Sequence, residues 1–114
     1  MVMTAQLGDT FAALADPTRL AIVETLTRGD ATINELTEQS TLTQQSISKH
    51  VKVLEDAGLV TRTRIGTSRP CHLEVHRLDA AQRWLAGRRD EWVARHDRLS
   101  EHLSSIVEQG KGHG

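Results

Sequence analysis

The stretch from Ile33 to Val60, INELTEQSTLTQQSISKHVKVLEDAGLV, decides the fold of this chain. Its second half places Ile47, Val51 and Leu54 at positions i, i+4 and i+7, the spacing of one buried stripe on a helix. Leu36 gives the shorter first half a buried edge, and a polar turn separates the two halves. We therefore predict a helix-turn-helix whose second helix is suited to lie in a DNA major groove.

The other face of the predicted second helix is polar and suited to DNA contact. Gln and Lys side chains can reach base edges in the major groove, and Ser and Lys suit phosphate oxygens. Thr43 is expected to cap the helix, and His50 lies beside the apolar stripe, which favours packing or phosphate anchoring over base reading. The alternative is an ordinary solvated face. The predicted contacts here are Thr43, Gln44, Gln45, Ser46, Ser48, Lys49, His50 and Lys52.

A short hairpin is predicted after this helix. Gly58 should end the helix in a left-handed conformation, and two extended segments, 60–65 and 69–75, flank a turn at 66–68. Pro70 cannot donate to a ladder, so the pair is expected to stand alone as an edge hairpin. We interpret it as a wing. Its candidate contacts to phosphates or the minor groove are Arg62, Arg64 and Arg69, with solvent-exposed charge as the alternative.

Two more helices are expected ahead of the helix-turn-helix. Residues 8–15 should form a short first helix, with residues 1–6 frayed. Asp16 is expected to cap a second helix. Its buried side is expected to include Leu20 and Val23, with Ile22 and Leu26 as further candidates.

A long helix is predicted from Leu78 to about Val107, where apolar residues recur every seven positions. At 1.5 Å per residue it would be roughly 45 Å long, more than a body of this size can cover. A stripe with this repeat is typical of pairing with another helix. We therefore predict a homodimer through the first and last helices, with interface residues Phe11, Leu14, Leu85, Trp92, His96, Leu99, Leu103 and Ile106.

The composition fits one small domain. The chain has 114 residues, 38 % hydrophobic and 25 % charged, and its 3 % aromatic content requires an aliphatic core. We expect an all-α fold with a small β-hairpin wing over 1–114. The DNA-binding core with its wing would span 8–77, the dimerisation helix 78–107, and a flexible tail 108–114.

The sequence also excludes several classes. No apolar run approaches the ~20 residues of a membrane span, and no signal-peptide pattern is present. The one cysteine suits a reducing cytoplasm, where we expect the protein to act. Ser46 and Lys49 match a Ser-x-x-Lys motif of acylating enzymes, but its companion motifs are missing. We expect a non-enzyme without a cofactor.

Charge is unevenly distributed along the chain. The whole chain carries a formal charge of −1. Residues 43–69, however, hold five cations and only two carboxylates, Glu55 and Asp56. A basic region on an otherwise acidic body is what attraction to phosphates requires.

A metal site on the return strand is considered and not favoured. Cys71, His72, Glu74 and His76 are all possible ligands. Strand alternation, however, places Cys71 on one face with Leu73 and Val75, and the other three on the opposite face. No four-ligand spacing appears, so we expect surface polar residues and no metal.

Four motifs in order carry a family resemblance: LADPTR at 14–19, SKHVKVL at 48–54, AGLV at 57–60, and Arg64-x-Gly66. With them the chain resembles the ArsR-type (ArsR/SmtB) winged-helix transcriptional regulators over about residues 8–107. The resemblance implies a dimeric repressor of a nearby operon, bound to double-stranded DNA at an imperfect palindrome and released by an inducer that no motif here identifies. The two reading helices would lie one DNA turn apart, roughly 34 Å.

The chain departs from the metal-sensing members of that family. The Cys-x-Cys signature of thiophilic-metal sensors is absent from 34–38, and Cys71 stands where many relatives have an aromatic residue. His96 and His102 lie about 120° apart around a helix, unlike a zinc pair. Two alternatives stay open: a zinc-type repressor that uses His96, His102, His113 or carboxylates from both subunits, and a winged-helix interaction module that does not bind DNA.

Overall fold

The computed structural model describes residues 2–111, and it describes side chains for residues 4–107. Its elements are the helices and strands α1 (Val2–Leu14), α2 (Pro17–Leu26), α3 (Ile33–Glu38), α4 (Gln44–Asp56), β1 (Val60–Arg62), β2 (Cys71–Leu73) and α5 (Val75–Lys111). This confirms a mostly helical fold with a small antiparallel hairpin. The chain divides into two compact units, one up to Ala81 and one from Gln82.

Short side chains fix where the helices of the first unit begin. The Asp16 carboxylate accepts the Arg19 backbone N–H at 3.0 Å, as predicted for the cap of α2. That hydrogen bond stabilises the charged form and lowers the pKa of Asp16. At α3, Thr32 Oγ1 accepts the Glu35 N–H at 3.2 Å, and Glu35 Oε1 accepts the Thr32 N–H at 3.1 Å. This reciprocal pair fixes the entry to the helix-turn-helix.

The core of the first unit forms around α4. Ile47, Val51 and Leu54 are 1 %, 0 % and 0 % exposed, which confirms the predicted stripe. They pack with buried residues of α2, α3 and both strands. For α2 the structure confirms Val23 and the further candidates Ile22 and Leu26 as buried, whereas the prediction is wrong for Leu20, which is 47 % exposed. Apolar residues occupy more than one face of α2, so their spacing alone does not define which face packs.

Gly58 ends α4 for two physical reasons. Its φ is +78°, a conformation that L side chains rarely adopt, as predicted. In addition, a Cβ at this position would lie 2.8 Å from the Arg77 guanidinium nitrogens. Gly58 therefore permits both the reversal into β1 and the close packing of Arg77 from the first turn of α5.

The hairpin is a two-stranded sheet as predicted, but its strands are shorter than expected. Val60 pairs with Leu73, and Arg62 pairs with Cys71. The tip closes through two backbone bonds between Ile65 and Ser68, with Gly66 at φ +63°. A glycine at the first central position of a two-residue loop is typical of a type II′ turn.

The return strand differs from the prediction at both ends. Cys71 forms two further backbone bonds with Ala31, at 2.7 and 3.2 Å, so it has a bridge partner on its other side. Cys71 and Leu73 are buried as expected, but Val75 is 56 % exposed and begins α5. The Glu74 N–H bonds the Leu59 carbonyl at 2.8 Å, and the chain turns helical after it.

Two helices begin earlier than predicted. α1 begins at Val2 rather than Gly8, so the expectation of fraying over 1–6 is wrong for the described residues. Leu7 is buried, and the Thr10 hydroxyl donates to the Gln6 carbonyl at 3.0 Å, which ties this added turn to the rest of α1. α5 begins at Val75 rather than Leu78.

The second unit is the continuation of α5 from Gln82. Its large apolar side chains lie exposed, and Arg88 pairs with Glu91 at 2.8 Å. α5 extends to Lys111. Residues 112–114 lie outside the described residues, so the flexible tail over 108–114 stays a prediction. Within the described chain, no helix has the length and apolar character needed to cross a membrane.

Candidate nucleic-acid interface

The polar face of α4 forms the first part of the candidate interface. Gln44, Gln45 and Lys49 are exposed, and Ser46 and Ser48 are partly exposed. The Thr43 hydroxyl accepts the Ser46 N–H at 3.1 Å, which confirms the predicted cap. Because the apolar stripe fixes α4 against the core, these side chains point away from the core.

Lys52 is less available to an anion than the sequence suggested. Its ammonium lies 3.0 Å from the Asp56 carboxylate one turn further along α4. The hydrogen bond that Lys52 donates to the Asp56 carboxylate, and the negative charge of that carboxylate, raise the pKa of Lys52. Lys49 forms no ion pair within the described part of the chain. The i, i+4 spacing of Lys52 and Asp56 was the signal that could have revealed this difference.

His50 lies against α2 instead of in the exposed polar row of α4. Its Nδ1 is 3.3 Å from Arg19 Nη1, which donates to it, and 3.6 Å from the Asp16 carboxylate. Arg19 also donates to the carbonyls of Ala12 and Ala13 near the end of α1. One guanidinium therefore connects α1, α2 and α4. No local sequence signal indicates this contact, since Arg19 and His50 are 31 positions apart.

The three wing arginines have different surroundings. Arg64 is exposed and its Nε donates to the Gly66 carbonyl at 3.2 Å. Arg62 is mostly buried, with 21 % of its side chain exposed. Arg62 and Arg69 line one cleft together with Gln44 and Ser48 of α4. The structure thus joins two wing arginines to α4, and Arg64 is not among the residues lining that cleft.

The histidines and the cysteine do not converge on a metal site. Among the described residues, no group of three or more His, Cys, Asp or Glu is placed to hold a metal ion. His72 Nδ1 bonds the Asp30 carboxylate at 2.8 Å, which raises the pKa of His72. Burial raises the pKa of the Cys71 thiol and keeps it neutral. His113, named in the zinc-type alternative, lies outside the described residues.

The predicted dimer residues fall into two environments. Leu14 packs against the core of its own unit, and Phe11 is half-buried. The apolar residues of α5 are 50–60 % exposed: Leu85, Trp92, Leu99, Leu103 and Ile106. His96 stacks on Trp92 with ring centroids 3.5 Å apart, and its Nδ1 lies 3.1 Å from the Trp92 carbonyl oxygen.

A capped helix-turn-helix followed by a two-stranded hairpin defines a winged helix-turn-helix protein. A family model described as a helix-turn-helix domain matches residues 14–63. The HTH-type transcriptional regulator Rv2034 of Mycobacterium tuberculosis is 39 % identical over 77 residues, covering 63 % of this chain and 72 % of that protein. The transcriptional repressor SdpR of Bacillus subtilis is 33 % identical, covering 53 % of this chain and 67 % of that protein.

A solved structure extends the likeness over most of the fold. The crystal structure of an ArsR family transcriptional regulator is 38 % identical, with a TM-score of 0.72, and covers 78 % of this chain and 92 % of that one. This chain belongs to the ArsR family of winged helix-turn-helix transcriptional regulators. It is a DNA-binding regulator, in a class of proteins that are not enzymes.

Proposed function

We propose that this protein is a homodimeric repressor that binds an imperfect palindromic operator in double-stranded DNA and acts in the cytoplasm on nearby genes. The observation that carries the proposal is the exposed row of Gln45, Lys49 and Lys52 on α4. The wing beside it carries two exposed arginines, Arg64 and Arg69. A rigid helix with this face and no carboxylate before Glu55 in its last turn suits a major groove. The names of relatives such as SdpR support repression.

Within this interface, Gln45 and Lys49 have separate roles. A glutamine amide can pair with an adenine edge, so Gln45 reads sequence. Lys49 forms no ion pair within the described residues and is exposed, so it pairs with backbone phosphates. The remaining predicted contacts, from Thr43 to Lys52 and in the wing, surround these two. His50 acts by holding α4 against α2.

The dimer is proposed from the apolar stripe of α5. Leu85, Trp92, Leu99 and Ile106 repeat every seven residues, and each is at least half exposed in the single chain. Leaving so much apolar surface in water is unfavourable, and pairing with the same helix of a second copy removes it. Phe11 and Leu14 of α1 complete the interface. In this arrangement 8–77 binds DNA and 78–107 joins the subunits.

The decisive experiment compares Gln45→Ala with the native protein on a set of operator variants. The DNA upstream of the gene is first tested for a gel shift against a random duplex of equal length. Gln45→Ala should change which base substitutions weaken binding, because one base-reading contact is lost. Gln82→Ala removes an exposed glutamine from α5 and should leave the preference unchanged. Equal losses on all operators contradict base reading by Gln45.

Oligomeric state provides the second half of this test. Sedimentation at working concentration should give a dimer, and the bound complex should contain two chains per operator. A monomer without preference for any duplex over random sequence contradicts the whole proposal. It would indicate a winged-helix module that binds proteins instead.

A further inference from the structure

A polar cleft of about 560 Å³ lies between the start of α3, the polar face of α4 and the wing. We call it the wing cleft. Two cations line it, Arg62 and Arg69, and no carboxylate is among the lining residues. Its neutral hydrogen-bonding side chains include Thr32, Asn34, Gln44 and Ser48.

Arg62 is the unusual residue of the wing cleft. Its Nε is buried and has no hydrogen-bond partner among the described residues. The closest carboxylate oxygen, Glu55 Oε1, lies 4.0 Å from Arg62 Nη1, too far for a hydrogen bond. A buried donor without an acceptor is unfavourable, and more so when the group is charged. An acceptor that reaches Nε would therefore stabilise this side chain.

The chemistry of the lining indicates what that acceptor is. A guanidinium presents parallel N–H groups that match two oxygens of a phosphate. The hydroxyls of Thr32 and Ser48 and the amides of Asn34 and Gln44 can donate to further oxygens of the same group. A cation is disfavoured because Arg62 and Arg69 repel it.

We propose that the wing cleft binds one phosphate of the DNA backbone, with Arg62 as its principal partner and Arg69 at its outer edge. This inference rests on the proposed function. It separates the roles of the wing arginines, because Arg62 acts beside α3 and α4 and Arg64 acts at the wing tip. It also adds Thr32 and Asn34, which precede α4, to the DNA-binding surface.

The first test is the salt dependence of binding by Arg62→Gln. Each phosphate contact contributes about 0.9 to the slope of log K against log salt, so the slope should fall by about 0.9 per subunit. Near 0.1 M salt this corresponds to a loss of roughly 5- to 10-fold per subunit, equal on operator and random duplex. Arg28→Gln removes an exposed arginine of the α2–α3 connection and should leave the slope unchanged.

A folding control accompanies this test. Thermal unfolding shows whether Arg62→Gln retains the native fold. Arg69→Gln changes an exposed residue of the same cleft, so it keeps the test open even if Arg62→Gln unfolds. It should lower the slope in the same direction by a smaller amount.

The second test observes the orphaned donor directly. In the native protein, the NMR resonance of Arg62 Nε–H should shift when duplex DNA is added. The Arg64 resonance serves as a comparison from outside the cleft. Replacing operator phosphates one at a time with neutral methylphosphonates should reveal one position per half-site that weakens the native protein but not Arg62→Gln.

Two results overturn the inference. In the first, the native protein binds DNA with ordinary salt dependence, both cleft variants keep the native slope, and the Arg62 resonance does not shift. That result rules out a phosphate in the wing cleft but leaves the proposed function intact. The other is a full Arg62 shift with inorganic phosphate at constant ionic strength and none with duplex. The cleft would then be a small-anion site. Failure of the native protein to bind any duplex contradicts the proposed function itself.

Discussion

The two units of this chain differ in how much of their apolar side chains is exposed. Up to Ala81, aliphatic side chains such as Ile47, Val51 and Leu59 are at most 1 % exposed. From Gln82 to Val107, by contrast, every large apolar side chain is at least 37 % exposed, and Trp92 reaches 60 %. The first unit completes its core within one chain. The second exposes apolar side chains along a helix, a pattern typical of an interface with another helix.

The exposed surfaces of the two units also differ in polarity. The exposed face of α4 carries Gln45 and Lys49, polar groups that suit an anionic polymer. The exposed stripe of α5 carries Leu85 and Leu99, which suit another helix. The comparison supports our proposal that the first unit binds DNA and that α5 of the second unit joins two copies. Matched substitutions in the two units can test it.

The largest effect on stability is expected from a substitution in the core of the first unit. Leu54→Ala should lower the free energy of unfolding by about 2–5 kcal/mol, because Leu54 is fully buried and its removal leaves a cavity. Chemical denaturation measures this loss. Leu20→Ala, at an exposed leucine of α2, is the control and should cost far less. Equal losses at the two positions would break the comparison.

A smaller, concentration-dependent effect is expected in α5. Leu99→Ala removes a side chain that is 54 % exposed in the single chain and that the proposed dimer would bury. The loss should be about 1 kcal/mol per subunit, and so roughly 30-fold in the dimer dissociation constant measured by sedimentation. Glu101→Ala, an exposed residue outside the seven-residue repeat, should leave the constant unchanged. If Leu99→Ala left the dissociation constant unchanged, α5 would not form the interface.

The two lysines of α4 should contribute unequally to DNA binding. Lys49→Ala should reduce the salt slope of DNA binding by about 0.9 per subunit. Lys52→Ala should reduce it less, because Asp56 already neutralises the Lys52 ammonium at 3.0 Å. Filter binding on random duplex at several salt concentrations measures both. Asp56→Asn should raise affinity; a larger effect at Lys52 than at Lys49 would contradict this account.

The smallest effect concerns pH and the His72–Asp30 bond at the edge of the hairpin. Because this bond raises the pKa of His72, it stabilises the fold fully below the ordinary value of 6.5 and loses this contribution as pH rises through the raised pKa. The difference in melting temperature between the native protein and Asp30→Asn should therefore be larger at pH 5.5 than at pH 9. Asp79→Asn, an exposed carboxylate in α5, should show no such trend.

Features fixed by local spacing could be predicted from the sequence. The stripe of Ile47, Val51 and Leu54, the Thr43 cap and the reversal at Gly58 each depend on a few neighbouring residues, and the structure confirms them. The seven-residue repeat of α5 was visible for the same reason. The start of α5 at Val75 was missed because strand alternation and helical spacing are indistinguishable over so few residues.

Features that depend on distant contacts could not be predicted. Whether Leu20 or Ile22 of α2 faces the core depends on how α2 packs. The difference between Arg62 and Arg64 depends on strand register, which decides which side chain turns inward. Contacts to DNA and to a second subunit remain predictions, since their geometry involves molecules other than this chain.

Arg19 has a consequence for genetics. Its guanidinium is bonded to the carbonyls of Ala12 and Ala13 and to His50, so replacing it disturbs three helices together. A screen for derepressed colonies would recover Arg19 substitutions alongside changes in the reading helix itself. Their phenotype would report a displaced scaffold, and compensating second-site changes would map to His50 and Asp16 instead of to operator bases.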